Sequence, residues 1–323
     1  MRVLLTGSSG WLGRFLAPML RAAGHDVIGL DVAPGIDTRM LGSVADRALV
    51  DRAFGEHGVE AVIHAGALHK PDIARYPARA FVDVNVTGTL NLLDAAAAAG
   101  HDRFVFTSTT SLMISEAIRS GGDAAAWLTE QSGPLAPRNI YGVTKFAAEH
   151  LCRLARLEKG LACVVLRTGR FFPEEDDTHR ALSGPNTKAN EFLNRRLTVE
   201  DAARAHLAAL ERAPAIGFGT YIVAAPTPFA REECGELMRD APAVVERHFP
   251  GVTELYARRR WRLPERIDRV YDASLAACEL GFTCETGFAE VLAAVADGTP
   301  LPFAHDPDYV SPKERGAAAT NMA

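Results

Sequence analysis

The spacing of apolar positions changes period several times along the chain. Residues 2–6 (RVLLT) form an apolar run too brief for a helix, closed by Gly7. Apolar residues then recur at Leu12, Phe15, Leu16, Met19 and Leu20, one face of a helix that ends at Gly24, a residue suited to a C-cap. A second strand is predicted at 26–32, a helix at 46–54, and a third strand at 60–67 ending in the small residues Ala65, Gly66 and Ala67. A helix over 81–98 and a strand over 103–108 follow. Residues 115–137 read as a loop, broken by Gly121-Gly122, Gly133-Pro134 and Pro137. Tyr141 opens the next helix, which runs on through Phe146, Ala147, His150, Leu151 and Leu154. Strands alternating with helices predict an α/β fold built on a doubly wound parallel sheet.

Composition narrows the class. The chain has 323 residues, 48% apolar and 23% charged, which excludes a disordered chain. Lys plus Arg number 35 against 40 Asp plus Glu, so the formal charge is −5 and nucleic acid is not the expected partner. The length allows one large domain or two, and two lobes are expected. The five cysteines (Cys152, Cys163, Cys234, Cys278 and Cys284) form no CxxC pair, the usage of reduced thiols. No apolar stretch is long enough for a signal peptide or a membrane span, so a cytoplasmic protein is expected.

Candidate chemistry begins at Gly7-Ser8-Ser9-Gly10-Trp11-Leu12-Gly13, a glycine loop between a strand and a helix. That context is the dinucleotide fingerprint of a Rossmann-type sheet: the backbone approaches a pyrophosphate, and the helix N-terminus offers it unpaired N–H groups. Asp31 stands 18 residues after Gly13, where an acid takes hydrogen bonds from ribose hydroxyls and repels a 2′-phosphate. NAD is therefore the expected cofactor, unless Asp31 is only a turn residue before Pro34-Gly35. Tyr141 and Lys145 lie one helical turn apart. An ammonium and an oxidised nicotinamide near a phenol favour its phenolate, which can accept the proton of a secondary alcohol while hydride leaves. Thr109, at the end of the 103–108 strand, is the best candidate to hold the same substrate oxygen, with Ser108 and Ser111 as neighbours. Asn85 either orders a water or the Thr107 region behind the tyrosine, or bridges helix and strand.

The chain resembles the extended short-chain dehydrogenase/reductases, the NAD-dependent epimerase/dehydratase family. The resemblance rests on TGSSGWLG (6–13), Asp31, HAGA (64–67), NVTGTLNLL (85–93), VFTSTTS (105–111), PRNIYGVTKFAAE (137–149), VVLRTGRF (164–171) and LTVEDAARAHLAAL (197–210). It implies a cofactor shell of Gly7, Gly10, Trp11, Leu12, Asp31, Ala65, Gly66, Ala67, Asn85, Thr107, Tyr141 and Lys145. It also implies a catalytic triad of Thr109, Tyr141 and Lys145, and a homodimer paired through the helices carrying Asn85 and Tyr141.

Departures from the family pattern narrow the branch. The family's 4,6-dehydratases follow the catalytic Thr with Asp-Glu. Here Thr110 and Ser111 follow, so dehydration is disfavoured. Leu112-Met113-Ile114 stands where sugar epimerases end their serine motif in Tyr-Gly, and an acid near Ser43 is missing. Only 33 residues separate Arg167 from Asp201, against a longer nucleotide-clamping connection in nucleotide-sugar enzymes. This short stretch, with Pro173-Glu174 after the strand, is similar to the uronate dehydrogenases, a resemblance by which Arg170, His179 or Arg180 either meets a substrate carboxylate or is a surface residue.

His69 and Lys70 either reach substrate or are solvated in their loop. The arginines at 258–269 either bind a diphosphate, as the family's C-terminal arginines do, or form a solvated face paired with Glu254, Glu265 and Asp268. The expected division is a cofactor domain of 1–168 plus 197–223, a small C-terminal α/β substrate lobe of 169–196 plus 224–304, and a mobile tail from 305 to 323. The expected activity is hydride transfer at a secondary alcohol or ketone of a sugar or sugar derivative. A sugar epimerase is the first reading, a sugar or uronate-type dehydrogenase releasing NADH the second, and a non-catalytic NAD-binding regulator the third.

Overall fold

A computed structural model describes residues 1–175 and 181–314. His179 and Arg180, and the tail beyond 314, lie outside the described residues.

The core is a seven-stranded, wholly parallel sheet. Its strands are β1 (Arg2–Thr6), β2 (Asp26–Asp31), β3 (Thr38–Leu41), β4 (Ala61–His64), β5 (Phe104–Thr109), β7 (Cys163–Thr168) and β8 (Phe218–Val223), in the order β3-β2-β1-β4-β5-β7-β8. Strand β6 (Ala126–Leu128) pairs instead with β9 (Arg269–Tyr271) in a separate two-stranded parallel sheet. The strands of the main sheet read as near-continuous apolar runs because both faces are covered. Leu5, Leu16 and Leu210 are among the residues burying one face, and Leu4, Leu93, Phe106 and Cys152 among those burying the other. Strand order reverses between β1 and β4, and such a reversal opens a crevice at the strands' carboxyl ends.

The helices start where the sequence offers caps. Asp46 accepts from the Leu49 N–H, Asn139 from the Gly142 N–H and Thr198 from the Asp201 N–H. The helix expected over 81–98 contains a π-helical segment, Val82–Thr87, which carries Asn85 and leads into Gly88–Ala98. π-Bulges of this kind are concentrated at functional sites.

The second lobe has its own core, with Phe192, Phe229, Val244, Tyr256 and Phe288 among its buried residues. Three sets of contacts cross the boundaries of the expected division. The loop over 115–137 lends the second lobe β6 through the pairing with β9. Ala276, Leu280 and Phe282 return to the first core, and Asp201 accepts the Glu285 and Thr286 N–H groups beside them. The tail expected to be mobile is bonded as far as Glu314: the Asp306 N–H donates to the Pro173 carbonyl, and Lys313 to Asp72. Among the described residues, no helix is long and apolar enough to cross a membrane.

Candidate active site

A cleft of about 870 Å³ opens at the carboxyl ends of β1, β4 and β5. Its floor is fixed by a buried lattice. The Gly66 N–H donates to Thr6 Oγ1, which also bonds His64 Nδ1 at 2.7 Å, and His64 Nε2 lies 3.0 Å from Thr89 Oγ1. Burial pushes the His64 imidazole well below its ordinary range, so the ring stays neutral and can donate through one nitrogen while accepting through the other.

At the glycine loop, Gly7 takes φ +74°, and a Cβ there would stand 2.8 Å from the Gly66 nitrogen. A Cβ on Gly13 would sit 2.2 Å from the Gly7 carbonyl oxygen, so only glycine lets the Trp11–Ala22 helix close on the loop. That helix begins without a side-chain cap, and Gly10, Trp11 and Leu12 at its start line the cleft. Asp31 ends β2 and accepts from the Ser9 and Ala33 N–H groups, one on each carboxylate oxygen. Gly7, Gly10, Trp11, Leu12, Asp31, Ala65, Gly66 and Ala67 all line this end of the cleft.

At the other end, Thr109 closes β5, its hydroxyl accepts from the Ser111 N–H, and both Thr109 and Tyr141 line the cleft. Burial pushes the Tyr141 phenol up to about 12, against the pull of Thr109, and the Asp72 charge adds to the rise. Burial also pulls the Lys145 ammonium down to about 7, against the pull of Cys152 and Glu149, and its Nζ lies 3.9 Å from the centre of the Phe106 ring. Burial is thus the largest influence on both the Tyr141 phenol and the Lys145 ammonium in the protein alone. Behind them, Ser108 donates to Glu149 at 2.5 Å, and Arg167 grips both oxygens of the same buried carboxylate. Thr107 lines the cleft with its hydroxyl 2.7 Å from His206 Nε2.

Asn85 is the one residue of the expected cofactor shell that does not line the cleft. Its amide accepts from the Leu68 N–H and donates to the Leu68 carbonyl and to Thr144 Oγ1. It bridges the loop after β4 to the Ile140–Lys159 helix, a link from loop to helix and not from helix to strand.

On the substrate side, His69 and Arg170 both line the cleft. Burial and the Lys313 ammonium push the His69 imidazole down to about 3, and its ring packs 5.3 Å from that of Phe172. Arg170 Nε stands 3.5 Å from the buried Glu191 carboxylate. Sequence reasoning missed Arg195, which also faces the cleft and is held by Glu191 at 2.9 Å. The 258–269 arginine cluster divides. Arg258 pairs with Glu254, Arg259 lies over Trp261 and Arg262 reaches the Ala181 carbonyl, while Arg269 alone enters the cleft wall, bonded to Asp268. Ser311, Pro312 and Lys313, from the expected tail, line it too. Among the described residues, no cluster of side chains could hold a metal ion.

Comparison with known proteins agrees with this geometry. A curated UDP-glucose 4-epimerase from Rhizobium meliloti is 32% identical over 174 residues, 51% of this chain and 50% of that protein. An L-arabinose 1-dehydrogenase (NAD(P)(+)) from Haloferax volcanii is 34% identical over 175 residues, 52% of this chain and 66% of that protein. The match thus spans about half the length of the epimerase. A solved short-chain dehydrogenase/reductase superfamily protein from Agrobacterium tumefaciens, with bound NAD, shares the fold over 100% of this chain and 99% of its own (TM-score 0.64, 23% identity). The family described as "NAD dependent epimerase/dehydratase family" matches residues 3–224, well over half of the sequence, and to that family the chain belongs.

Proposed function

We propose that the protein catalyses NAD-dependent hydride transfer at a secondary alcohol or ketone of a sugar or sugar derivative, as a sugar epimerase. The observation that carries this is one continuous cleft with a glycine loop and Asp31 at one end and Thr109, Tyr141 and Lys145 together at the other.

The residues present fit the dinucleotide. A Cβ at Gly7 or Gly13 would collide with backbone, so the loop keeps a bare main-chain cradle beside an uncapped helix N-terminus. Gly7, Gly10, Trp11 and Leu12 would hold the pyrophosphate, and Asp31 the adenosine ribose. Ala65, Gly66, Ala67, Thr107, Tyr141 and Lys145 would surround the remainder. When bound, NAD supplies a hydride acceptor and a positive nicotinamide ring. Tyr141 takes the proton of the substrate hydroxyl at its phenol oxygen, and Thr109 holds that same substrate oxygen. Burial alone favours the protonated phenol, and Lys145, one helical turn from Tyr141, together with the positive charge a bound nicotinamide would supply, would favour the phenolate. Asn85 is a positioning residue, setting the Tyr141 helix against the loop after β4. His69 and Arg170 face the substrate.

A second reading, a dehydrogenase that releases NADH, is favoured by the abbreviated stretch after β7. Its Gly184–Glu191 helix ends on a carboxylate shared by Arg195 and Arg196. The arabinose dehydrogenase relative points the same way. In that reading Arg170 meets a substrate carboxylate. One experiment separates the two: incubation with NAD and a panel of nucleotide sugars, aldoses and free uronic acids. Product without growth of the NADH band identifies an epimerase, and stoichiometric NADH a dehydrogenase. NAD binding with no turnover on any substrate would indicate a regulator.

A homodimer is part of the proposal. Val143, Leu154 and Leu157 are exposed along one stripe of the Ile140–Lys159 helix, and Val82 and Leu90 along the neighbouring helix. A cytoplasmic setting suits the five free cysteines.

A further inference from the structure

From residue 305 to 314 the chain leaves the second lobe and crosses the mouth of the cleft. Its root is fixed where His305 bonds Lys188 at 2.9 Å and the Asp306 N–H donates to the Pro173 carbonyl. In mid-span the Tyr309 ring meets Trp11 edge-on, 5.2 Å between centroids, and the Arg14 guanidinium lies 5.7 Å from the same ring. Trp11 and Arg14 belong to the glycine-loop bank. At the far end Lys313 Nζ donates to Asp72 Oδ2 at 2.5 Å, and Arg75 donates to Glu314 at 2.8 Å. Asp72 and Arg75 belong to the opposite bank, in and beside the 3₁₀ turn Lys70–Ala74. One short segment therefore ties the two banks together over the cleft that Ser311, Pro312 and Lys313 help to line.

We propose that residues 309–314 are a closing strap that retains the dinucleotide; this rests on the NAD reading above. A dinucleotide held both at Asp31 and beside Tyr141 has to pass between the banks that the strap joins, so exchange requires the strap to lift. Its fastenings suit such a cycle. The outer pair, Arg75 and Glu314, has side chains 47% and 22% exposed and is weak and screened by salt. The inner pair, Lys313 and Asp72, has side chains 12% and 1% exposed and is largely shielded from solvent. Tyr309 adds an aromatic edge contact at the opposite bank.

The test is NADH release, read by stopped-flow fluorescence as excess NAD displaces bound NADH from the protein. Tyr309→Ala and Lys313→Met, which act on opposite banks, are each expected to raise the dissociation rate roughly tenfold, with a smaller rise in the association rate. Arg75→Glu is expected to raise it less, and the charge-swapped pair Arg75→Glu with Glu314→Arg to return it to the wild-type value. Unchanged dissociation in both Tyr309→Ala and Lys313→Met, with wild-type unfolding midpoints, overturns the strap. An association rate that gains more than the dissociation rate also overturns it, because the segment then obstructs entry rather than retaining the cofactor. Wild-type protein that binds no NADH overturns the cofactor reading itself, whereas tight binding with release indifferent to every variant overturns the strap alone.

Discussion

The two ends of the cleft are built differently. The glycine-loop end is made of one contiguous stretch, residues 7–13, set against the ends of two neighbouring strands, and it works through backbone atoms and missing side chains. The far end is assembled from side chains that meet only in the folded chain: His69, Thr109, Tyr141, Arg170, Arg195, Arg269 and Lys313. The first kind of site is specified by what a short segment cannot contain. The second is specified by topology, and its residue types carry little meaning one at a time.

This contrast can be broken at either end. The largest effect is expected from Tyr141→Phe, which removes the proton acceptor and little else: turnover falls by three orders of magnitude or more, roughly the upper range for a lost acid–base group. NADH binding, measured by fluorescence, stays within a few-fold of wild type, and turnover that persists would show that the far end works without its phenol. At the other end, Gly13→Ala drives a methyl group against the Gly7 carbonyl, which cannot swing aside. We expect a stability loss of about 3 kcal/mol by denaturant titration, together with loss of NADH binding. Wild-type behaviour would mean that the loop is not a packed cradle.

Asp31→Ala is expected to be milder. The Ser9 and Ala33 N–H groups lose their acceptor, and the preference for NAD over NADP drops on the order of tenfold in competition binding. If the wild type already prefers NADP, Asp31 is a turn residue.

The subtlest sharpening uses Lys145. Its folded-state value of about 7 lies below the 10.5 of a free lysine. Between these values the unfolded chain binds more protons than the native one, so native stability rises with pH across that window. Below pH 7 the native state carries the buried ammonium at full cost. The stability gained by Lys145→Met over wild type should therefore be greatest near pH 6 and shrink towards pH 10. A gap that does not depend on pH would show that the ammonium is solvated.

The same contrast explains how far the sequence could be read. Strands β1, β2, β4 and β5, the flanking helices and the whole glycine end are legible because each is announced by local periodicity, a cap or a glycine. Strand β3 escaped notice because its four residues, Thr38–Leu41, are largely exposed and show no apolar run. β6 was hidden inside a stretch dense in glycine and proline, and only its partner β9 makes it a strand. Tyr141 and Lys145 are visible by their spacing, but their protonation is not, since burial is a tertiary property. Arg195 and Arg269 look like any surface arginine until Glu191 and Asp268 fix them in the wall. The docked tail was the least legible, because Asp72 and Trp11, which hold it, lie more than two hundred residues upstream.

The pairing of β6 with β9 bears on how the protein is made. As the chain emerges from the ribosome, β1 to β5 can find their neighbours early, each parallel to a strand already present or soon to follow. Ala126–Leu128 has no such neighbour. It must wait, edge exposed, until Arg269–Tyr271, far downstream in the chain, has been synthesised. A chain halted after β8 and before β9 would hold all seven strands of the main sheet and still carry Ala126–Leu128 without its partner.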